Sequence, residues 1–167
     1  LLQDAGRILI NDFPLTAAQT GRIAELARTM CHGFRKARRI LVCSGKVYYD
    51  LLAARRERKR DDVSIIRVEQ FYPLHEPLLR EALAAYSEKT PVRWVQEEPE
   101  NMGAWFHMFY NFRLRPLRGI FRKASATTAT GFHDHHVREQ QAIIDAAFGG
   151  VRAPGSDVLI SAAPAAD

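Results

Sequence analysis

The sequence predicts an α/β fold, in which helices cover both faces of a mostly parallel sheet of about five strands. Short apolar runs rich in β-branched residues are typical of buried strands, and four of them recur at regular intervals, over residues 39–43, 63–68, 92–96 and 117–121. Between these runs, apolar residues repeat with the helical period. This alternation favours a three-layer domain whose strand-to-helix loops meet at one edge of the sheet.

The helices are predicted from the same periodicity and from capping residues. Thr16 can cap a first helix that ends near Cys31, and a second helix begins at Lys46 and ends near Lys59. The later helices are predicted over residues 76–87, from the aromatic-rich stretch at 105 to 112, and over 133–148. In the last of them we expect buried side chains at Val137, Ile144 and Phe148.

Composition sets the broad class of protein. The 167 residues are 47% hydrophobic and 26% charged, which suits one globular domain with extra tails. We expect a divergent, partly helical segment over residues 1–35, a domain over 36–148 and a disordered tail over 149–167. No apolar run approaches the ~20 residues of a membrane helix, so no membrane partner is expected. The first residue is not methionine, which indicates a segment of a longer protein.

The two cysteines and the basic runs receive ordinary structural interpretations. Cys31 and Cys43 lack metal-ligand spacing and are expected to be reduced thiols. Much of the net charge of +5 lies in residues 35–39 and 55–60. The second run closes a predicted helix, where cations meet the negative end of the helix dipole. Aromatic residues do not interleave with these runs, so we interpret the second as a solvated helix end and expect no nucleic-acid partner.

A candidate anion site follows the first predicted strand. At Ser44, Gly45 and Lys46 the chain turns from a strand into a helix, so backbone N–H groups, a helix dipole and an ammonium can converge on one point. Arg67 and Arg80 are candidate second cations for a bound phosphate. The alternative is that Gly45 only makes a tight turn and Lys46 extends into solvent. The glycine spacing of a P-loop is absent, so nucleotide hydrolysis is not indicated.

Three strings carry a family resemblance. They are the stretches from Ser44 to Leu51 (SGKVYYDL), from Ile66 to Pro73 (IRVEQFYP) and from Trp94 to Trp105 (WVQEEPENMGAW). In this order and spacing they resemble the C-terminal domain of 2-oxoglutarate dehydrogenase, in its thiamine-dependent decarboxylating component. That component decarboxylates 2-oxoglutarate and transfers a succinyl group to a lipoyl carrier in the tricarboxylic acid cycle.

The resemblance implies a transketolase-like C-terminal domain that carries no cofactor of its own. In the family, thiamine diphosphate and Mg²⁺ are held by upstream domains, and the signature Gly-Asp-Gly followed later by Asn-Asn is absent from this chain. The implied partners are those upstream domains, a second subunit of a homodimer and the lipoyl-bearing succinyltransferase of the complex. The resemblance also implies a cytoplasmic bacterial enzyme, and acetyl-CoA or AMP as an effector at the Ser44–Lys46 corner.

Several residues of the third string have structural rather than catalytic interpretations. Glu97 and Glu98 are adjacent at a strand end and point to opposite sides, so they cannot flank one substrate as paired catalytic carboxylates do. One of them is expected to cap the third helix or to accept bonds from loop amides. Asn101 and Gly103 are expected in a turn at the helix start. Trp105 and the aromatic residues after it are expected in the core or in a subunit interface.

Two further features, a histidine-rich helix start and the loop before it, give additional hypotheses. His133, His135 and His136 could be metal ligands, but they fall on different faces of a helix start, which favours a structural role with Asp134 near the positive dipole end. The loop over residues 123–131 keeps the small residues of the family pattern without its proline, which predicts a less rigid loop.

Alternative functions stay open at this stage. The chain could be a free-standing regulatory domain that binds an acyl-CoA or a nucleotide. It could also belong to another thiamine-dependent 2-oxoacid dehydrogenase or transketolase-type enzyme.

Overall fold

The computed structural model describes residues 9–10 and 37–149. The strands of this part are β1 (Leu9–Ile10), β2 (Arg39–Cys43), β3 (Val63–Val68), β4 (Val92–Pro99) and β5 (Leu117–Arg122). Its helices are α1 (Val47–Glu57), α2 (Glu76–Ala84), α3 (Trp105–Asn111) and α4 (His133–Ala147). None of these helices has the length and apolar character required to cross a membrane.

The strands form one parallel sheet. Their order is β1-β3-β2-β4-β5, and every neighbouring pair runs in the same direction. β2 lies at the centre, because its side chains from Ile40 to Cys43 are apolar on both faces and can be covered on both. The predicted α/β class, with a parallel sheet and helices on both faces, is confirmed.

Side-chain alternation along the strands separates two cores. Val42 and Trp94 face the core beneath α2 and α3, whereas Leu41 and Val95 face the core beneath α1 and α4. The strand that follows β2 in sequence lies on one side of it, and β4 lies on the other. The connections therefore diverge between the carboxyl ends of β2 and β4, where open α/β sheets form a crevice.

Part of the basic run over residues 55–60 packs against α4, while residues 56–59 are exposed to solvent. Arg58 pairs with Asp145 at 2.6 Å, and the guanidinium carbons of Arg58 and Arg60 lie 5.6 and 6.0 Å from the centroid of the Phe148 ring. Arg60 also donates to the carbonyl of Phe148. The end of this helix is therefore solvent-exposed as expected, but Arg58 and Arg60 also reach the carboxyl end of a helix that is remote in the chain.

Arginines also cap two helix ends from other elements. Arg39 of β2 donates to the carbonyls of Ala146 and Ala147 at the end of α4, at 3.0 and 2.7 Å. Arg115 donates to three carbonyls at and just beyond the end of α2, those of Leu83, Tyr86 and Ser87. These guanidinium groups satisfy carbonyls that have no partner within the helix.

Three predictions about element bounds and burial need correction. β4 extends to Pro99, so Glu97 and Glu98 belong to the strand and not to a loop. α2 ends at Ala84 and not at residue 87. Val137 is 49% exposed, whereas Ile143 and Ala147 are buried together with Phe148. α4 therefore turns a slightly different stripe toward the sheet than the sequence pattern indicates.

Some predictions fall on residues outside the described part. These are the helix from Thr16 to Cys31, the start of the first basic run and the tail beyond residue 149. Of the two cysteines, Cys43 is described and is a buried free thiol. Burial raises the pKa of this thiol to about 12, so it stays protonated and unreactive at neutral pH.

Candidate functional site

The predicted corner lies at the carboxyl edge of the sheet. Gly45 has a φ of 66°, in the left-handed region that favours glycine, and Lys46 is the residue preceding α1. The tight turn lets the chain reverse from β2 into a helix that packs back on the sheet. The backbone N–H of Gly45 thereby points toward the end of the neighbouring strand β3.

The anion that this corner binds is a side chain of the protein itself. The Gly45 N–H donates to Oε1 of Glu69 at 3.0 Å, and Arg67 donates to the same oxygen. The Arg67 guanidinium also bonds Tyr49 Oη at 3.1 Å and lies 5.2 Å from the centroid of the Tyr48 ring. Sequence reasoning selected Arg67 but missed Glu69, although a carboxylate two residues beyond a strand-end arginine was a usable signal.

Lys46 forms ion pairs with two elements, although its side chain is 64% exposed. Its Nζ lies 2.7 Å from Glu97 Oε1 and 3.2 Å from Asp50 Oδ2. Gln140 of α4 donates to the same two carboxylates at 2.8 and 2.9 Å. The hydrogen bond that Lys46 donates to Glu97 is the main reason that the pKa of Lys46 is raised. This cluster of Lys46, Asp50, Glu97 and Gln140, the edge cluster, connects α1, β4 and α4.

The role predicted for the two glutamates is only partly right. Glu97 accepts its hydrogen bonds from side chains of Lys46 and Gln140, not from α3 or from loop amides, so the capping role is wrong. Glu98 is exposed and shares no partner with Glu97 among the described contacts. The pair does not form a catalytic dyad in this arrangement.

A cavity of about 430 Å³ opens at the crevice between β2 and β4. Its lining residues are Ser44, Phe71, Trp94, Gln96, Glu98, Gly103, Ala104 and His107. Ser44 contributes to this cavity, whereas Lys46 joins the edge cluster on the α1 and α4 side. The corner residues that the sequence grouped together are therefore directed to different surroundings.

Gln96 supports the floor of the cavity. Its Nε2 donates to the carbonyls of Pro99 and Met102 at 3.1 and 2.7 Å, and its Oε1 accepts from Trp94 Nε1 at 2.9 Å. The chain folds tightly over this amide, since Gly103 has a φ of 67° and a Cβ there would lie 3.0 Å from Gln96 Nε2. Gly103 is thus required by the turn that precedes α3, as predicted.

The loop over residues 123–131 is held by side chains. Arg122 donates to Glu97 O at 2.7 Å and to Thr130 Oγ1 at 3.1 Å, and it also bonds the Thr128 carbonyl. The Asn101 side chain exchanges two hydrogen bonds with the backbone of Ser125, at 2.9 and 3.0 Å. The lower rigidity expected from the missing proline stays a prediction.

The other predicted residues lie apart from the corner. Arg80 pairs with Glu76 within α2, which covers the face of the sheet opposite α1, so Arg80 and Arg67 approach from different sides. Trp105 is buried against Phe121. The three histidines from His133 are exposed at the start of α4, and the described residues contain no group of three side chains suited to hold a metal ion.

Fold and site together define a helix-covered parallel α/β domain with a ligand-sized crevice at its carboxyl edge. The family described as 2-oxoglutarate dehydrogenase C-terminal matches residues 22–148. The chain belongs to this family, which confirms the resemblance carried by the three strings.

Relatives of known name support the same assignment. The 2-oxoglutarate dehydrogenase E1 components of Cupriavidus necator and Haemophilus influenzae are 39% and 40% identical to the chain over 118 and 116 residues. The multifunctional 2-oxoglutarate metabolism enzyme of Mycolicibacterium vanbaalenii is 42% identical over 120 residues. These matches cover 66–68% of the chain but only 10–12% of each relative.

Proposed function

We propose that the chain is the C-terminal part of a bacterial, cytoplasmic 2-oxoglutarate dehydrogenase E1 component. Such an enzyme decarboxylates 2-oxoglutarate on thiamine diphosphate and passes the succinyl group to a lipoyl carrier. The observation that carries the proposal is the match of residues 22–148 to the C-terminal family, together with relatives that bear this name. Because the described residues include no suitable metal-binding group, we assign no step of the cofactor chemistry to them.

The test is made on the full reading frame that contains this segment. The purified product, with thiamine diphosphate and Mg²⁺, is expected to reduce an artificial electron acceptor when 2-oxoglutarate is added. Pyruvate serves as the control substrate, because a preference for it would indicate another 2-oxoacid dehydrogenase. An in-frame start just before Leu1 would contradict the proposal and favour a free-standing regulatory domain.

Within that enzyme, α3 is proposed to contact a second subunit. Phe106 and Tyr110 lie on this helix and are 47% and 61% exposed. Tyr72 is 87% exposed, and it follows Phe71, whose ring contacts His107 of α3. Large aromatic side chains are enriched in protein interfaces. Phe106→Ser with Tyr110→Ser is expected to convert dimers to monomers in sedimentation velocity. Phe132→Ser, which removes an even more exposed aromatic group outside α3, is the control. An unchanged dimer in the double variant would refute the contact.

The corner is proposed to bind the phosphate of acetyl-CoA or AMP in competition with the protein's own carboxylates. Ser44 lines the cavity of about 430 Å³, and Lys46 is held by Glu97 and Asp50, so an incoming phosphate has to displace an internal ion pair. Arg67 is the further candidate cation, although it already pairs with Glu69, whereas Arg80 pairs with Glu76 on the opposite face of the sheet.

Calorimetry tests whether acetyl-CoA or AMP binds at this corner. Lys46→Ala is expected to weaken acetyl-CoA or AMP about ten-fold or more, as for loss of one charge-assisted contact. Glu97→Gln is expected to strengthen binding, because it removes the competing carboxylate. No heat with either compound, or affinities that neither substitution changes, would end the effector hypothesis without touching the enzyme assignment.

A further inference from the structure

Three arginines lie side by side at the amino edge of the sheet, opposite the corner. Arg93 of β4 is directly paired with Arg118 of β5 in the parallel register. Arg39 of β2 lies diagonally from Arg93, since Leu41, two residues on, is the register partner of Arg93. Leu41, which follows Arg39 by two residues, faces the core beneath α1 and α4.

The same alternation places all three side chains on one face. Val95 and Ile120 belong to the core beneath α1 and α4, and they follow Arg93 and Arg118 by two residues. Because side chains two apart in a strand point to the same side, the arginines share this face of three adjacent strands. We refer to Arg39, Arg93 and Arg118 as the arginine row.

The row lacks a matching set of carboxylates in the described residues. Arg93 donates to the carbonyl of Val92, and no ion pair of Arg93 or Arg118 occurs in this part of the chain. Arg39 is engaged by the helix-end carbonyls of α4. Burial, together with the charges of Arg118 and Arg39, lowers the pKa of Arg93, as expected for cations that repel one another.

Such an arrangement is unfavourable unless an anion is present. Like charges directly opposite each other on neighbouring strands destabilise a sheet. Guanidinium groups are planar forks that bind phosphate and carboxylate oxygens in pairs, and partial burial strengthens these bonds. Arg60 and Arg115, also near this edge, bind helix-end carbonyls, and so does Arg39. Arg93 and Arg118 have no such role in the described part of the chain.

We propose that Arg93 and Arg118, with Arg39 beside them, bind a multiply charged oxyanion at the amino edge of the sheet. The ligand chemistry is a phosphate or carboxylate group with at least two negative charges, placed across β4 and β5. This site is distinct from the corner at Ser44–Lys46, which lies at the opposite edge, and does not depend on the enzyme assignment.

The test uses the full chain with pyrophosphate and, separately, propane-1,2,3-tricarboxylate, in calorimetry at constant ionic strength set with chloride. Binding of one or both is expected, and the stronger arm identifies phosphate or carboxylate as the preferred group. Arg93→Gln and Arg118→Gln are expected to raise the dissociation constant about ten-fold or more. Arg138→Gln removes an exposed charge from the first half of α4 and is expected to bind as the wild type does.

Thermal unfolding gives an independent readout if Arg93→Gln does not fold. At ten times the dissociation constant the anion is expected to raise the wild-type Tm by roughly 4–6 °C, and to raise that of Arg118→Gln much less. Without the anion at low salt, Arg118→Gln is expected to unfold no earlier than the wild type. No binding in either arm, equal losses in Arg138→Gln, or a lower Tm of unligated Arg118→Gln would overturn the proposal.

Discussion

The backbone turn before α3 requires a residue without a Cβ, and Gly103 meets this requirement. Its φ of 67° disfavours other residues, and an added Cβ would lie 3.1 Å from the Glu98 Cβ as well as close to the Gln96 amide. Gly103→Ala is therefore expected to lower the free energy of unfolding by about 1–3 kcal/mol, measured by urea denaturation. Gly131→Ala is the control, because an added Cβ there meets open space; equal effects of the two changes would refute this explanation.

Asp62 makes the domain sensitive to acid. Arg60 holds it through two hydrogen bonds of 2.7 and 3.0 Å, and this contact lowers the pKa of Asp62 below its ordinary value of 3.8. A lowered folded-state pKa contributes stability that is fully present above about 3.8 and is lost as the pH falls through the folded value.

The corresponding prediction concerns Asp62→Asn. The wild type is expected to be more stable by roughly 0.5–1 kcal/mol at pH 6, with the difference shrinking below pH ~3.8 as the wild-type carboxyl is protonated. Urea titrations from pH 2.5 to 6 measure it. Asp61→Asn removes a neighbouring carboxylate that is 97% exposed, and it is expected to have a smaller effect. A constant difference at all pH values would contradict this role of Asp62.

At the scale of elements, Arg122 determines whether the loop after β5 is ordered. Its side chain is only 12% exposed and bonds backbone or side-chain oxygens of Glu97, Thr128 and Thr130. Arg122→Gln is expected to speed amide hydrogen exchange over residues 123–131 and to cost about 1–3 kcal/mol. Lys123→Gln, which alters an exposed neighbour, serves as the control. Unchanged exchange in the loop would show that Arg122 does not hold it.

The elements themselves were largely predictable from sequence, and their ends were less so. Each of the strands β2 to β5 contains a short apolar run, and this hydrophobic pattern identifies the strand without knowledge of its neighbours. The end of β4 was missed because Glu97 and Glu98 are polar, and Glu97 is held by the side chains of Lys46 and Gln140, which are remote in the chain. Val137 was placed in the core for a related reason, since periodicity does not fix which side of a broad stripe meets the sheet.

The candidate site shows the same limit more sharply. The corner at Gly45 and Lys46 could be located from its position after an apolar strand. The counter-ion of Lys46 could not, because Glu97 lies on another strand and approaches only when the parallel order places that strand beside β2. Glu69, by contrast, had a usable signal in its place two residues beyond Arg67. Contacts between elements that are remote in the chain leave no period in the sequence.

At the scale of the whole molecule, the cations are arranged by the direction of the helices. In a parallel α/β domain the helices run against the strands, so their carboxyl ends, which carry partial negative charge, lie at the amino edge of the sheet. Arg39, Arg60 and Arg115 bind carbonyls at such ends. These three basic side chains therefore have a structural role in the described part of the chain.

Lys46, at the carboxyl edge of the sheet, makes the stability of the domain depend on pH in the alkaline range. The pKa of Lys46 is raised above 10.5, first by the hydrogen bond with Glu97, so its contribution to stability is full below 10.5 and is lost as the pH rises through the folded value. Lys46→Gln is expected to be less stable than the wild type at pH 9, with the two converging toward pH ~12. Denaturation across this range measures the difference; a gap that persists at the highest pH would contradict it.

The guanidinium caps at the helix ends have a consequence for experiments in base. Arginine keeps its proton well beyond the pH at which lysine loses it, and a hydrogen bond with Asp62 raises the pKa of Arg60 further. An alkaline titration should therefore break the ion pairs of Lys46 while Arg60 still binds the carbonyl just beyond α4 and Arg115 those at the end of α2. Base alone would then loosen one rim of the sheet and leave the other intact, so that motions of the two rims could be measured separately in the same molecule.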